Sequence, residues 1–183
     1  DTILEVGRVT GHQQQATTAL AYLEGRVAGI RELSASIALD DRPRVAFLEW
    51  IDPLFNAGHW TPELIEYAGG IDCLGSKHQP SYSVNDDDLL AANPDVLFVA
   101  LCGFNLQRTE QDLTLLNRIA GLAESPCASN RQLYYCDGNA YFSRPGPRLV
   151  DSLEIMASTL HPELFNAFTR EKRARPFTLR TPS

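Results

Sequence analysis

The sequence predicts an α/β fold: a parallel sheet flanked by helices and preceded by one long connecting helix. Two short, almost wholly apolar runs, Arg44–Glu49 and Asp95–Leu101, have the length and continuity of strands covered on both faces. Helical patterns separate the strand-like runs, so strand and helix alternate as crossover connections require. A long amphipathic stretch stands ahead of them.

In that stretch, over residues 12–35, Ala16, Leu20, Leu23, Val27 and Ile30 recur at intervals of four and three, which is one stripe of a helix. The opposite face carries Gln13, Gln14, Glu24, Arg26 and Arg31. Before it, Thr2 to Val6 reads as an isolated strand. The linker Leu39-Asp-Asp-Arg-Pro43 ends the helical unit. After the first strand, Thr61 to Ala68 reads as a short helix with Thr61 as N-cap and Pro62 at its first position, closed by Gly69-Gly70. Asn85 to Asn93 is a further short helix whose acidic start suits the helix dipole. Helices are predicted over Thr109 to Ala120 and Pro147 to Leu160, with a strand at Gln132 to Cys136 between them.

Composition narrows the function classes. The chain has 183 residues, a net charge of −7 and a pI near 5.0, which excludes a nucleic-acid surface. Basic residues gather only at the end, at Arg170, Lys172, Arg173 and Arg175, a stretch expected to be solvated and frayed. Cys73, Cys102, Cys127 and Cys136 form no CxxC pair, so a zinc ribbon or a thioredoxin-like site is not supported. His59 and His78 lack metal-ligand spacing, and Asp86-Asp87-Asp88 lacks the spacing of a calcium loop. No run reaches the apolar length of a membrane span, and the opening at Asp1 has no signal-peptide pattern, as expected of a cytosolic chain or of a mature or trimmed form.

Ligands of open parallel sheets gather beyond the carboxyl ends of the strands. Three predicted loops lie there: Glu49 to Trp60, Cys102 to Asn105, and Asp137 to Arg144. Together they hold both tryptophans, Trp50 and Trp60, with Phe55, Phe104, Tyr141 and Phe142. Such a collection is either a stacking surface with a few orienting polar groups or a plug for the open end of the core. No GxSxG, GxGxxG or P-loop pattern is present, and no motif ties a histidine to Cys102, so a catalytic constellation is weakly supported.

The segments LEWIDPLFNAGHWTPELIEYAGG (48–70), NPDVLFVALCGF (93–104) and DGNAYFSRPGPRLVDSLEIMASTLHPELF (137–165) resemble the carboxy-terminal lobe of the cobalamin-binding branch of ABC-transporter substrate-binding proteins (class III periplasmic binding proteins). The resemblance covers about residues 1–168. It implies the end of an amino-terminal lobe and the inter-lobe helix in residues 1–38, a Rossmann-like α/β lobe in 39–168, and a flexible basic tail in 169–183. It further implies an extracytoplasmic, non-catalytic protein with no intrinsic cofactor, carrying cobalamin or a related corrinoid between two lobes to a membrane permease. The amino-terminal lobe would then be missing, and the isolated lobe would expose an apolar cleft face and self-associate.

Carried over by position, Trp50 would stack on the macrocycle edge, with Tyr141 and Phe142 as the opposite aromatic contact. Phe55 and Trp60 belong to the same aromatic set. Arg144, Asp52 and Asn139 would hydrogen-bond peripheral amides or the nucleotide loop, and Gly103 and Phe104 would line the floor. Glu63 is a candidate for the acidic permease contact of this lobe, and Ser143 lies near the position that the resemblance implies for that contact. Two alternatives stand beside the corrinoid. One is a haem or ferric-siderophore binder of the same fold, with His59 or Tyr141 as axial ligand for haem, a siderophore requiring more arginines than Arg144. The other is a small α/β enzyme using Cys102.

Overall fold

The structure, a computed structural model, describes residues 2–165 and 174–180. The mixed sheet is built around three parallel strands, β1 (Arg44–Ile51), β4 (Val96–Val99) and β5 (Leu133–Tyr135). Val45 pairs with Val96 and Leu97 with Leu133, so the apolar runs lie in register at the centre. Val45, Ala46, Phe47 and Leu48 are all buried, as continuous apolar strands covered on both faces must be. Beside β1, β3 (Ile71–Asp72) runs parallel along its start, and β2 (Leu54–Asn56) folds back antiparallel against its end. The other edge is β6 (Arg175–Pro176), antiparallel to β5.

Alternation along β1 divides the core in two. Ala46 and Leu48 face a core completed by Leu89, Leu97, Leu116 and Leu133. Val45 and Phe47 face another with Ile30, Ile65, Phe98 and Met156. The second core is roofed by α2 (Gln13–Ser34), α3 (Thr61–Tyr67) and α8 (Leu149–Leu160), which follow α1 (Thr2–Thr10) in chain order. The 22 residues of α2 span about 33 Å, and its predicted stripe does turn inward, most deeply at Ile30. Its carboxyl end is fastened by Ser34 Oγ donating to the Tyr67 carbonyl at 2.8 Å and by Arg42 donating to the carbonyls of Ser34 and Ile37. Nearer its middle, Arg26 donates to both carboxylate oxygens of Glu154 at 2.8 and 2.7 Å and to Asp151 at 2.7 Å.

Several expectations need correction. Thr2 to Val6 is not a strand but the start of α1, which packs against α2 as a helical hairpin turning at Gly11 (φ 74). A Cβ on Gly7 would stand 2.3 Å from that of Ala16, so the glycine permits a close helix contact that outweighs the β-branched composition. Thr61 lies inside α3; its N-cap is Trp60, without a side-chain cap. The helix expected over Thr109 to Ala120 begins earlier, as α5 (Leu106–Asp112) capped by Asn105, and tightens into a 3₁₀ segment over Leu113–Arg118. Leu113, Leu116 and Ile119 are all buried at intervals of three, the repeat of a 3₁₀ turn and not of an α-helix. Arg175–Pro176, placed by the sequence in a frayed tail, is an edge strand, and Phe177 packs edge-on to Tyr135 at 6.3 Å. The basic residues Arg170, Lys172 and Arg173 lie outside the described residues. The expected acidic helix start holds: α4 (Asp86–Ala91) opens with an Asn85–Asp88 capping box.

His161, just after α8, places Nε2 3.0 Å from the Gly69 carbonyl, and burial holds its pKa below the ordinary histidine value. A depressed folded pKa contributes stability above the unfolded value and loses it as pH falls through the folded one. Urea midpoints measured downward from about pH 7.5 through roughly 6.5 should therefore fall more steeply in the wild type than in His161→Gln. Parallel slopes would remove His161 from the acid sensitivity.

Candidate functional site

The carboxyl ends of β1, β4 and β5 open onto the three predicted loops, and β1 shifts its register against β2 there, between Leu48 and Trp50. On the face of Phe47 lies a cavity of about 210 Å³. Phe47, Ala100 and Phe142 form its apolar floor, and Glu49, His59 and Trp60 stand among its walls. Cys102 and Ser143 reach it from the second and third loops. The floor is a packed trio: Phe142 lies 5.1 Å from Phe47 and 5.6 Å from Phe98.

Backbone constraints place these walls. Gly58 passes so close to the next loop that a Cβ would meet the Ser81 nitrogen at 2.2 Å. His59 follows at φ 56 with its N–H donated to the Gln79 carbonyl at 2.7 Å. Its ring centroid is 5.7 Å from that of Trp60, whose Nε1 is buried with no acceptor. On the third loop a Cβ at Gly138 would lie 2.1 Å from the Leu101 carbonyl oxygen. This approach lets Ser143 Oγ accept from the Gly103 N–H at 2.9 Å and donate to the Gly138 carbonyl at 2.7 Å. Asn139 N–H donates to the Phe104 carbonyl at 3.0 Å, so the second and third loops are joined twice.

At the same strand ends Trp50, Phe55 and Phe104 make an aromatic ledge. Trp50 and Phe55 are register partners on β1 and β2, and the rings of Trp50 and Phe104 lie 5.0 Å apart. Arg108 covers Phe104 at 4.9 Å and pairs with Asp112 at 3.0 Å. The Trp50 indole donates to the Asp52 carbonyl at 3.0 Å, and the Asp52 carboxylate pairs with Arg118 at 3.2 Å. At the rim Arg144 reaches Asn139 Oδ1 at 3.4 Å.

The predicted residues thus separate into groups. Trp60 and Phe142 border the cavity, Trp50, Phe55 and Phe104 form the ledge, and Asn139 and Arg144 sit on the rim. Phe142 is only 6% exposed, so it acts as core and floor where an exposed stacking partner was expected. Tyr141 is half-buried against the same core. Gly103 is a left-handed turn residue at φ 75, and Phe104 belongs to the ledge; neither lines this cavity. Asp52 is engaged by Arg118 at the far end of the ledge. Glu49 was missed as a site residue, although a carboxylate inside the run Val45–Ile51 is an anomaly visible in the sequence.

Among the described residues no group of His, Cys, Asp and Glu converges closely enough to hold a metal ion. Cys102 is exposed, whereas burial pushes the thiols of Cys73 and Cys136 up to about 12. What the arrangement offers chemically is apolar contact at the strand ends, from the cavity and the ledge, with polar groups beside it.

Residues 1–140 match the family model described as periplasmic binding protein. The chain belongs to the periplasmic binding protein family. No curated protein matches the sequence. Among solved structures, the chain resembles the periplasmic heme-binding protein RhuT of Roseiflexus sp. RS-1 at 25% identity and a TM-score of 0.69, covering 91% of this chain and 62% of that one. It also resembles a periplasmic heme binding protein of Pseudomonas aeruginosa at 20% identity, a TM-score of 0.72 and coverages of 97% and 60%. An ABC-type Fe3+-hydroxamate transport system protein of Saccharomonospora viridis follows at 22% identity, a TM-score of 0.67 and coverages of 86% and 53%. This periplasmic binding protein chain therefore spans between half and two thirds of the length of the structures it matches. The likeness at these scores bears out the expected α/β fold. Among the described residues no helix is long and apolar enough to cross a membrane.

Proposed function

We propose that this chain supplies one lobe of a binding site for cobalamin or a related corrinoid, in the extracytoplasmic substrate-binding component of an ABC importer, without catalysis. The observation that carries the reading is the pairing of an aromatic ledge and a cavity at one end of the sheet. At about 210 Å³ the cavity is smaller than the roughly 300–1,000 Å³ of sites that enclose a small molecule. A broad, flat ligand resting on the strand ends fits better, touching Trp50 and Phe104 and dipping toward Trp60. The rest of its surface would be covered by a second lobe, consistent with the length of the related structures. Asn139 and Arg144 supply polar contacts at the rim. Delivery would require docking to a membrane permease; Glu63, the sequence candidate for that contact, accepts from the Tyr67 hydroxyl at 2.7 Å. The isolated chain would self-associate through its uncovered cleft face, which sedimentation at rising concentration reads directly.

A haem ligand is the second reading. His59 on the cavity wall and the heme-binding name of the Roseiflexus relative favour it. The deciding experiment is quenching of tryptophan fluorescence in the full-length protein on titration with cyanocobalamin and with haemin. Saturable binding of cyanocobalamin, weakened about tenfold or more by Trp50→Ala, supports the corrinoid reading. Binding of haemin alone moves the assignment to haem, and binding of neither ends the tetrapyrrole reading.

A further inference from the structure

Glu49 is the carboxylate beside the cavity that the fold leaves without a partner. It follows Phe47 by two residues on β1, so both side chains leave the same face of the sheet, and both line the cavity. Its surroundings are the apolar floor of Phe47, Ala100 and Phe142, with Thr61, His59, Cys102 and Ser143 as the polar groups sharing the space. The other acidic groups of the three loops and their neighbours are engaged. Asp52 pairs with Arg118, Asp112 with Arg108, and Asp137 accepts the Ala140 N–H at 2.8 Å to cap α7 (Gly138–Tyr141). Among the described residues no cation pairs with the Glu49 carboxylate and no donor reaches it; its backbone carbonyl accepts the Cys102 N–H at 3.0 Å. The Glu49 carboxylate is thus a half-buried acceptor at the cavity, open to a donor on whatever binds there.

Building on the tetrapyrrole reading above, we infer that Glu49 sets the class of ligand: it accepts hydrogen bonds from amide N–H groups on the ligand's edge and disfavours ligands edged with carboxylates. A corrinoid edge is fringed with uncharged primary amides, each with two N–H donors, and a charged acceptor makes the stronger kind of hydrogen bond with them. Haem ends in carboxylates, which have no proton to donate near neutral pH and would be repelled. Glu49 thereby separates two ligands that the aromatic ledge alone would accept about equally.

The test measures cyanocobalamin and haemin affinities for the full-length wild type, Glu49→Gln and Glu49→Leu. Loss of the acceptor in Glu49→Leu should weaken cyanocobalamin binding roughly 10- to 100-fold. Glu49→Gln keeps the shape and removes the charge, and should shift the preference toward haemin by about tenfold or more. Because the glutamine is isosteric, a folding defect confined to the leucine variant leaves the test intact. If the haemin-to-cyanocobalamin preference is the same in wild type and Glu49→Gln, the role of Glu49 is overturned while the tetrapyrrole reading stands. If the wild type binds haemin alone, selection for amides is overturned and the haem reading takes over. If the wild type binds neither, the underlying reading fails and this inference with it.

Discussion

Arg26→Ala should destabilise the protein by about 3 kcal/mol or more, the cost of leaving buried carboxylates without their cation. The guanidinium side chain is 20% exposed, and those of Asp151 and Glu154 are 14% and 10% exposed. Arg26 meets Glu154 through two nitrogens and shares one of them with Asp151, a geometry lysine cannot reproduce. Hydrogen bonding to Glu154 raises the Arg26 pKa further above its already high value. A raised folded pKa contributes stability below the unfolded value and loses it only as pH rises through the folded one. For arginine both values lie above any working pH, so the Arg26 contribution should be constant through the neutral range. Replacing all three groups by apolar residues of similar volume should restore most of the lost stability, because desolvation of the charges disappears along with their attraction. Urea denaturation of the wild type, Arg26→Ala and the apolar triple variant measures both effects. A loss below about 1 kcal/mol in Arg26→Ala would mean that the triad behaves as a solvated surface pair.

That triad also marks a limit of what sequence alone can convey. The 3.6-residue stripe of α2 and the apolar runs of β1 and β4 were legible because each is a local pattern with its own period. The pairing of Arg26 with Asp151 and Glu154 joins residues more than a hundred positions apart, and neither helix announces the other. Thr2 to Val6 misled for the opposite reason: its composition is strand-like, but the small residue at Gly7 allows a helix contact that composition does not price. The 3₁₀ segment was hidden by the similarity of three- and four-residue spacing over so short a window.

For the candidate site, the three loops were legible because strand ends in a parallel sheet converge at one edge. How the aromatics divide was not. Glu49 lines the cavity and the adjacent Trp50 belongs to the ledge, and β1 shifts register against β2 between Leu48 and Trp50, an irregularity that no local pattern announces. Phe142 could not be told from an exposed stacking residue, since burial in a turn depends on what the neighbouring strands present. The carboxylate of Glu49 was in plain view inside an apolar strand, and its lack of a partner became visible only once Arg108 and Arg118 were seen to be committed elsewhere.

Phe142→Ala should be the most informative substitution near the cavity, because one side chain belongs both to the core and to the site. Its ring fills the corner beside the stacked pair Phe47 and Phe98, whose centroids lie 5.2 Å apart at 20°. Truncating a buried phenylalanine costs about 3–5 kcal/mol, part of it from lost transfer and part from the void left behind. Here the void adjoins the cavity, so water can enter it and hold the cost toward the lower end of that range. The consequence for binding is separate. Phe142 anchors the third loop, and with it the Ser143 hydroxyl that holds Gly103 and the Asn139 amide that holds Phe104. Loosening that anchor should displace the rim and weaken ligand binding about tenfold at temperatures where the variant is still folded. Phe142→Leu keeps most of the volume and should lose little of either property. If Phe142→Ala lowered stability while binding stayed at the wild-type level, the third loop would be positioned by its hydrogen bonds alone and the aromatic floor would be dispensable to the site.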